Sequence, residues 1–272
     1  MAFVGEGADE LFGGYPTYIG VEVAERFAQL PSWLGRAIRR VIGALPPSEK
    51  KVTISFLLKR FMEGASWNGM TRHRLWVSNI TPALLRRLGV APIDLDSNDA
   101  GGADLIDRAQ QWDLETLLAE GLLTKADRAS MSSALELRAP FLDEAVMEFA
   151  KSLRVEDRVH GFNTKVFLKR YARRYLPNNI VNRRKRGLSV PISSWLRGPL
   201  TEWATTTLEK GHLEQLGIPT SAAMELFSQH CQRKADHARA LWTLLGVGEW
   251  LDWVAAEADA AKQQTEAITN FR

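Results

Sequence analysis

Gly5-Glu6-Gly7-Ala8-Asp9-Glu10-Leu11-Phe12-Gly13-Gly14-Tyr15 sets glycines among carboxylates at one end of the chain, and the reading of this stretch decides the fold. Glycine permits positive φ and lets backbone approach a ligand closely. Successive backbone N–H groups in such a turn can form an anion-binding nest at the start of a helix. Carboxylates would repel a bare phosphate, but they suit one that carries a hard cation, because Mg²⁺ binds through one or two carboxylates plus substrate oxygens. Two readings stand: a solvated turn with a capping acid, or an active-site element at the end of a strand. Val4 is the last residue a strand could use, and no other run alternates β-branched residues convincingly enough to supply a partner.

Outward from the turn, helical spacing dominates. Residues 17–30 place Ile19, Val23, Phe27 and Leu30 on one face. Pro31 ends that helix, and Ser32 suits an N-cap for 33–44. A helix over 50–63 carries Ile54, Leu57, Leu58 and Phe61. Residues 91–103, rich in Pro, Asp and Gly, have the composition of a surface loop. Leu105 to Leu123 then reads as a long amphipathic helix with Ile106, Ala109, Trp112, Leu117 and Leu118. Further helices fit 143–152, 164–175, 200–209, 220–233 and 237–257. The last holds Trp242, Trp250 and Trp253 among leucines, a spacing that predicts core. Residues 1–257 are expected to form one domain, and 258–272 a flexible tail.

Two further stretches carry dense charge. Asp127 to Asp143 includes Asp127-Arg128, Ser130-Met131 and Leu135-Glu136-Leu137-Arg138-Ala139-Pro140-Phe141-Leu142-Asp143. Pro140 forces Ala139 out of helix, which predicts a helix end near Arg138. Arg138 could there bond a carboxylate bidentately, or Glu136 or Asp143 could pair with an arginine in a buried network that holds the fold. The other stretch runs from Thr164-Lys165 to Pro191 and contains Arg183-Arg184-Lys185-Arg186-Gly187. A lysine here could serve a phosphate or a developing oxyanion as a compact charge. The arginine block reads either as a solvated charge run or as a loop that closes over a polyanion.

Composition bounds these readings. The 272 residues are 45% hydrophobic and 25% charged, with a formal net charge of +3, ordinary for a globular protein. That mild charge, without interleaved aromatics, does not suggest a nucleic-acid partner. There is no apolar run long enough for a membrane span, and with neither a basic n-region nor an apolar h-region at Met1-Ala2-Phe3-Val4 no signal peptide is expected. The single cysteine, Cys231, excludes an internal disulfide and a multi-cysteine zinc site and fits a reducing, cytoplasmic compartment.

In order, these stretches resemble the synthetase domain of the glutamine-hydrolysing asparagine synthetase family. That family carries Ser-Gly-Glu-Gly-Ser/Ala-Asp-Glu-x-Phe-Gly-Gly-Tyr, then Asp-Arg-x-Ser-Met-x-x-x-Leu-Glu-x-Arg-x-Pro-Phe-Leu-Asp, a Lys-x-x-Leu-Arg/Lys helix and Leu-Pro-x-x-Ile-x-x-Arg-x-Lys-x-Gly-Phe. Here they stand at Gly5–Tyr15, Asp127–Asp143, Lys165–Arg170 and Leu176–Leu188. The Trp-rich helix from Leu241 resembles the family's closing helix. The resemblance implies a mainly α fold: the helical C-terminal part of an α/β adenine-nucleotide-hydrolase-like (ATP pyrophosphatase) synthetase domain, with at most a remnant strand at the N-terminus. It implies ATP and Mg²⁺ as cofactors, and a reaction in which the aspartate side chain is activated as an acyl-adenylate and attacked by ammonia drawn from glutamine. It places Glu6 near the adenylate and the attacking ammonia, Asp9 at Mg²⁺-pyrophosphate with Glu10 beside it, and Lys165 at the phosphoryl group. Gly5, Gly7, Arg138, Arg183 and Lys185 would contact substrate, with Arg138, Glu136 and Asp143 shaping the site rather than reacting.

Departures from the family pattern shape the same expectation. No glutaminase segment with its nucleophilic cysteine next to the initiator Met is present, nor a Ser-Gly-Gly-x-Asp-Ser pyrophosphate loop; Gly101-Gly102-Ala103-Asp104 lies in a polar linker. Val4 replaces the usual Ser, and Leu188 stands where Phe is common. A partner chain supplying the missing half is therefore expected, and 1–272 alone should show no ATP–pyrophosphate exchange. The alternatives are a non-catalytic truncated product or pseudoenzyme subunit, and an amidotransferase acting on another carboxylate.

Overall fold

A computed structural model describes residues 1–44, 54–65, 67, 69–91, 104–183 and 190–270. In chain order the elements are β1 (Ala2–Phe3), α1 (Ala8–Phe12), α2 (Pro16–Ala28), α3 (Ser32–Gly43), α4 (Ile54–Gly64), α5 (Gly69–Val77), α6 (Pro82–Arg87) and α7 (Leu105–Asp113). A π-helical stretch, Leu114–Leu123, joins α7 to α8 (Thr124–Met131). There follow β2 (Leu137–Arg138), α9 (Glu144–Ser152), α10 (Val155–Arg158), α11 (Val166–Ala172), α12 (Asn178–Val181), α13 (Ile192–Leu196), α14 (Thr201–Glu209), α15 (Thr220–Cys231) and α16 (Ala238–Asn270). The fold is mainly α, as the sequence predicts. No helix among the described residues is long and apolar enough to cross a membrane.

The chain divides into two compact units. The first comprises Met1–Ala44, Leu57–Val77 and Leu95–Gly187. Its larger core gathers Tyr18, Val21 and Ala24 of α2, Met70 and Trp76 of α5, Ile106 and Ala109 of α7, and Val159. The α2 stripe is thus offset from the expected Ile19, Val23, Phe27 and Leu30, and Leu30 is exposed. The reason is polar: the Tyr18 hydroxyl donates to the Asp113 carboxylate at 2.6 Å, which turns that face inward, and Ala24 permits close helix approach. A smaller core holds Leu11, Phe12 and Ala150, with Phe141, Leu142, Phe167 and Leu168 against it.

The remnant strand has a partner. β1 pairs in parallel with β2, Ala2 opposite Leu137 and Phe3 opposite Arg138, so the expectation of an unpartnered strand is corrected. A two-residue strand is too short to show an alternating pattern, and Leu137-Arg138 gives no sequence signal. The expected helix end near Arg138 is also displaced: α8 stops at Met131, and Pro140 instead opens a short 3₁₀ turn, Pro140–Leu142.

The second unit comprises Leu45–Phe56, Ser78–Asp94 and Leu188–Arg272. Thr81 caps α6, its hydroxyl accepting from the Leu84 N–H at 3.3 Å. Leu88, Leu196, Leu208, Leu226, Leu241 and Leu245 form the centre of its core. Trp242, Trp250 and Trp253 of α16, expected in core, are 40%, 55% and 59% exposed. The leucines of that helix take the buried face, leaving the tryptophans outside. The same helix continues to Asn270, beyond the position where the composition predicts a tail. The 91–103 loop lies outside the described residues beyond Ala91.

Candidate active site

β1 delivers the chain into the glycine-acid turn. The Val4 N–H donates to the Arg138 carbonyl at 2.9 Å, after which the chain leaves the sheet. Gly7 caps α1 in the left-handed region, φ +89°. A Cβ there would stand 2.4 Å from Leu142 Cδ2, so glycine is required for both conformation and space. Gly13 closes the helix at φ +69°, and the Gly14 N–H donates to the Asp9 carbonyl at 2.7 Å.

Three stretches far apart in sequence meet at this turn. Leu142 packs over Gly7. The Phe12 ring lies 6.0 Å from Phe141 in an edge-on contact and 6.4 Å from a nearly parallel Phe167. Lys165 Nζ reaches Asp9 Oδ1 at 3.0 Å, both side chains about a quarter exposed. Gly14 lies directly beneath that pair: a Cβ added to it would fall 1.8 Å from Asp9 Oδ1 and 2.4 Å from Lys165 Cε. Lys165 itself adopts φ 52°, ψ 42°, left-handed for a residue with a side chain. Such backbone costs on the order of 1 kcal/mol and persists where the surroundings impose it. It starts α11, with the Lys169 N–H donating to the Lys165 carbonyl at 2.8 Å. Burial, with Lys165 and Arg173 nearby, holds the Lys169 ammonium below the usual lysine range, so the start of α11 is an electropositive spot.

The remaining candidates are placed differently. Glu6 is partly exposed in the turn, beside exposed Gly5. Glu10 is 1% exposed, and its carboxylate accepts from the Tyr15 hydroxyl at 2.6 Å. Burial pushes that carboxyl above the ordinary range despite the tyrosine. Glu10 therefore turns into the core rather than standing open beside Asp9, because a one-residue step rotates a helical side chain by about 100°. Arg138 lies on β2 with a largely exposed guanidinium, paired with the Glu136 carboxylate at 2.5 Å; the pair is neither buried nor at a helix end. Asp143 caps α9, its carboxylate accepting from the Ala145 N–H at 3.1 Å. Arg183 is exposed after α12, and Lys185 lies outside the described residues.

Beneath the turn runs a polar network that spacing could not reveal. Gln110 donates to the Glu10 carbonyl and accepts from Arg158 Nη1 at 2.6 Å. Asp113 takes the Tyr18 hydroxyl and lies 3.0 Å from His73 Nε2. Asp113, His73 and Tyr18 are fully buried. These partners are up to 100 residues apart in sequence, and only the packing of α1, α2, α5 and α7 brings them together. Among the described residues no group of three or more His, Cys, Asp or Glu side chains could enclose a metal ion. Glu6 and Asp9 are the partly exposed carboxylates of the turn, a number that fits Mg²⁺ held mainly by substrate oxygens and not a protein cage.

Residues 1–252 match the Asparagine synthase family. The chain is similar to "Asparagine synthetase [glutamine-hydrolyzing] 1" of Bacillus subtilis, 29% identical over 90% of this chain and 39% of the relative. It is also similar to "Putative asparagine synthetase [glutamine-hydrolyzing]" of Mycobacterium bovis, 34% identical over 89% of this chain and 37% of the relative. The chain thus spans less than two fifths of the length of these relatives. No solved structure matches it.

Proposed function

Because the chain belongs to the asparagine synthase family, matched over residues 1–252, we propose that it forms the acid-and-lysine face of an ATP-dependent amide ligase of the cytoplasm that converts aspartate to asparagine. The Asp9–Lys165 pair at 3.0 Å carries the proposal. A carboxylate and an ammonium held together at a glycine turn are what adenylation needs at its phosphates: one group for a cation, one for the anion.

In this reading the aspartate side-chain carboxylate attacks the α-phosphorus of ATP and pyrophosphate leaves. Ammonia derived from glutamine then attacks the acyl carbon and AMP leaves. Lys165 donates to phosphoryl oxygens as charge develops on them, its direction imposed by the left-handed start of α11. Gly5 and Gly7 let the turn backbone approach the substrate. Glu6, partly exposed in that turn, takes a proton from the attacking ammonia. Asp9 is the protein carboxylate that would hold Mg²⁺, which supplies charge neutralisation at the leaving pyrophosphate. Glu10 is not retained as a ligand, since Tyr15 and the core occupy it; its role is to anchor α1. Arg138, Arg183 and Lys185 serve the substrate's anionic groups. Groups that bind adenine and the triphosphate come from further sequence of the same polypeptide or from a partner chain.

The test is aspartate-dependent ATP–pyrophosphate exchange in the protein that carries this chain. Lys165→Ala should lower exchange by about 10²-fold. Glu6→Gln should leave exchange within about threefold while amide formation falls on the order of 10²-fold. Wild-type exchange in the Lys165→Ala protein would overturn the assignment.

A further inference from the structure

The second unit leaves one face of α16 uncovered. Leu241, Leu244 and Leu245 point into its core, whereas Trp242, Trp250, Trp253 and Val254 are each more than a third exposed. At 3.6 residues per turn, Arg239, Trp242, Gly246, Trp250, Trp253 and Glu257 fall within about 80° of arc. A contiguous apolar stripe of this kind on a helix marks an interaction surface.

The polar groups that flank the stripe are matched within the unit. Glu249 accepts from Trp203 Nε1 at 3.0 Å and from the Thr207 hydroxyl at 2.7 Å. Asp252 is paired with Lys210, and His212 Nε2 lies 3.1 Å from it. The Trp203 ring, tethered by Glu249, stands 6.0 Å from Trp242 and supports it. Between Trp242 and Trp250 the exposed Gly246 leaves a notch, where an added Cβ would meet no atom within 4 Å. Glycine inside a helix costs about 1 kcal/mol against alanine. Gly246 has no positive φ, and no close neighbour inside the unit calls for it.

The stripe is complementary to itself in one orientation. Two copies of α16 laid antiparallel, with a two-fold axis at the level of Gly248, bring together residues whose numbers average about 248. Trp250 of each copy then enters the Gly246 notch of the other. Trp242 stands beside the partner's Trp253, and Arg239 meets Glu257 at both ends. In a parallel pairing Arg239 would face Arg239 and Glu257 would face Glu257, like charge against like. We infer that this face joins the chain to a second copy of itself through antiparallel α16 helices.

Sedimentation equilibrium of the 272-residue chain tests this. A monomer–dimer equilibrium with a dissociation constant of about 10 µM is expected, weak because one helix pair is a small interface. Trp250→Glu should weaken it at least about tenfold. Gly246→Gln should weaken it by a similar factor of about ten because it fills the notch, with helix content by far-UV circular dichroism undiminished, since glutamine favours helix over glycine. Arg239→Glu and Glu257→Arg should each weaken pairing about threefold or more. The exchange Arg239→Glu/Glu257→Arg should recover most of that loss, which only pairing between copies predicts. Trp33→Glu, on the exposed α3 of the first unit, should change nothing. A chain that stays monomeric at about 100 µM would overturn the inference, as it would if another polypeptide or further sequence covers the face. So would a dimer indifferent to Trp250→Glu and Gly246→Gln, a dimer weakened equally by Trp33→Glu, or no recovery in the charge exchange. Because the readout is mass and not exchange activity, its failure is separate from any failure of the amide-ligase reading.

Discussion

Lys165 concentrates the functional argument in one backbone torsion. A left-handed lysine is a cost that the fold bears while the side chain meets Asp9 at 3.0 Å. Lys165→Gly should therefore separate stability from activity. Strain relief offsets the added chain entropy of glycine, leaving the denaturation midpoint within about 1 kcal/mol of wild type, while exchange falls by about 10²-fold. A drop in stability of several kcal/mol would show that the lysine is structural. Gly14 makes the complementary case, since a methyl there would occupy the space of Asp9 Oδ1. Gly14→Ala should displace the pair and cost at least about tenfold in exchange, with little change in the thermal transition, because the colliding atoms are side-chain ends that can swing away. Retained activity in Gly14→Ala would dissociate the pair from catalysis.

At the scale of elements, α1 is only five residues long and could not persist by helix propensity. It is held by glycines at both ends and by the contact of Phe12 with Phe141 and Phe167. The Pro140-Phe141-Leu142-Asp143 segment therefore docks the turn: its apolar pair covers α1, and its aspartate starts α9. Gly7→Ala should destabilise the protein by about 2 kcal/mol or more, combining positive φ with a collision against Leu142. Chemical denaturation would measure it, and a loss below about 0.5 kcal/mol would mean that the turn relaxes freely.

Over the whole molecule, the two units respond to pH through different groups. In the second unit His230 is fully buried, its Nε2 3.1 Å from the Ser193 carbonyl and its Nδ1 accepting the His237 N–H at 3.2 Å. Burial is the main reason that both His230 and His237 are held below the histidine value of 6.5. Between 6.5 and those lowered values the unfolded chain binds more protons than the folded one, so stability rises with pH across that window, falls on acidification through it, and levels off below it. The urea midpoint should be lower at pH 5.5 than at pH 7.5, and His230→Gln should flatten that slope while lowering stability at both. Glu10 in the first unit acts with the opposite sign: its carboxyl is raised above 4.5, so it favours the folded state below that value and loses this contribution as pH rises toward the folded value. A midpoint independent of pH between 5.5 and 7.5 would contradict the histidine account.

Much of the helical order was legible in the sequence because it depends on local rules: apolar spacing for α4 and α7, Pro31 between α2 and α3, and glycines on either side of α1. The acid turn, the lysine and the Pro-Phe-Leu-Asp segment could likewise be singled out, because glycine, charge and proline at fixed offsets restrict the backbone wherever they occur. Tertiary structure alone decided which of these groups meet. It paired β1 with a two-residue strand that has no pattern, rotated the buried face of α2 toward Asp113, and left the tryptophans of α16 outside its leucine core. It also separated adjacent carboxylates, bringing Asp9 to Lys165 and enclosing Glu10 with Tyr15. Spacing assigns residues to a helix, but the burial of a charge or its pairing with a group 156 positions away (165 less 9) depends on the neighbouring elements that exclude water around it.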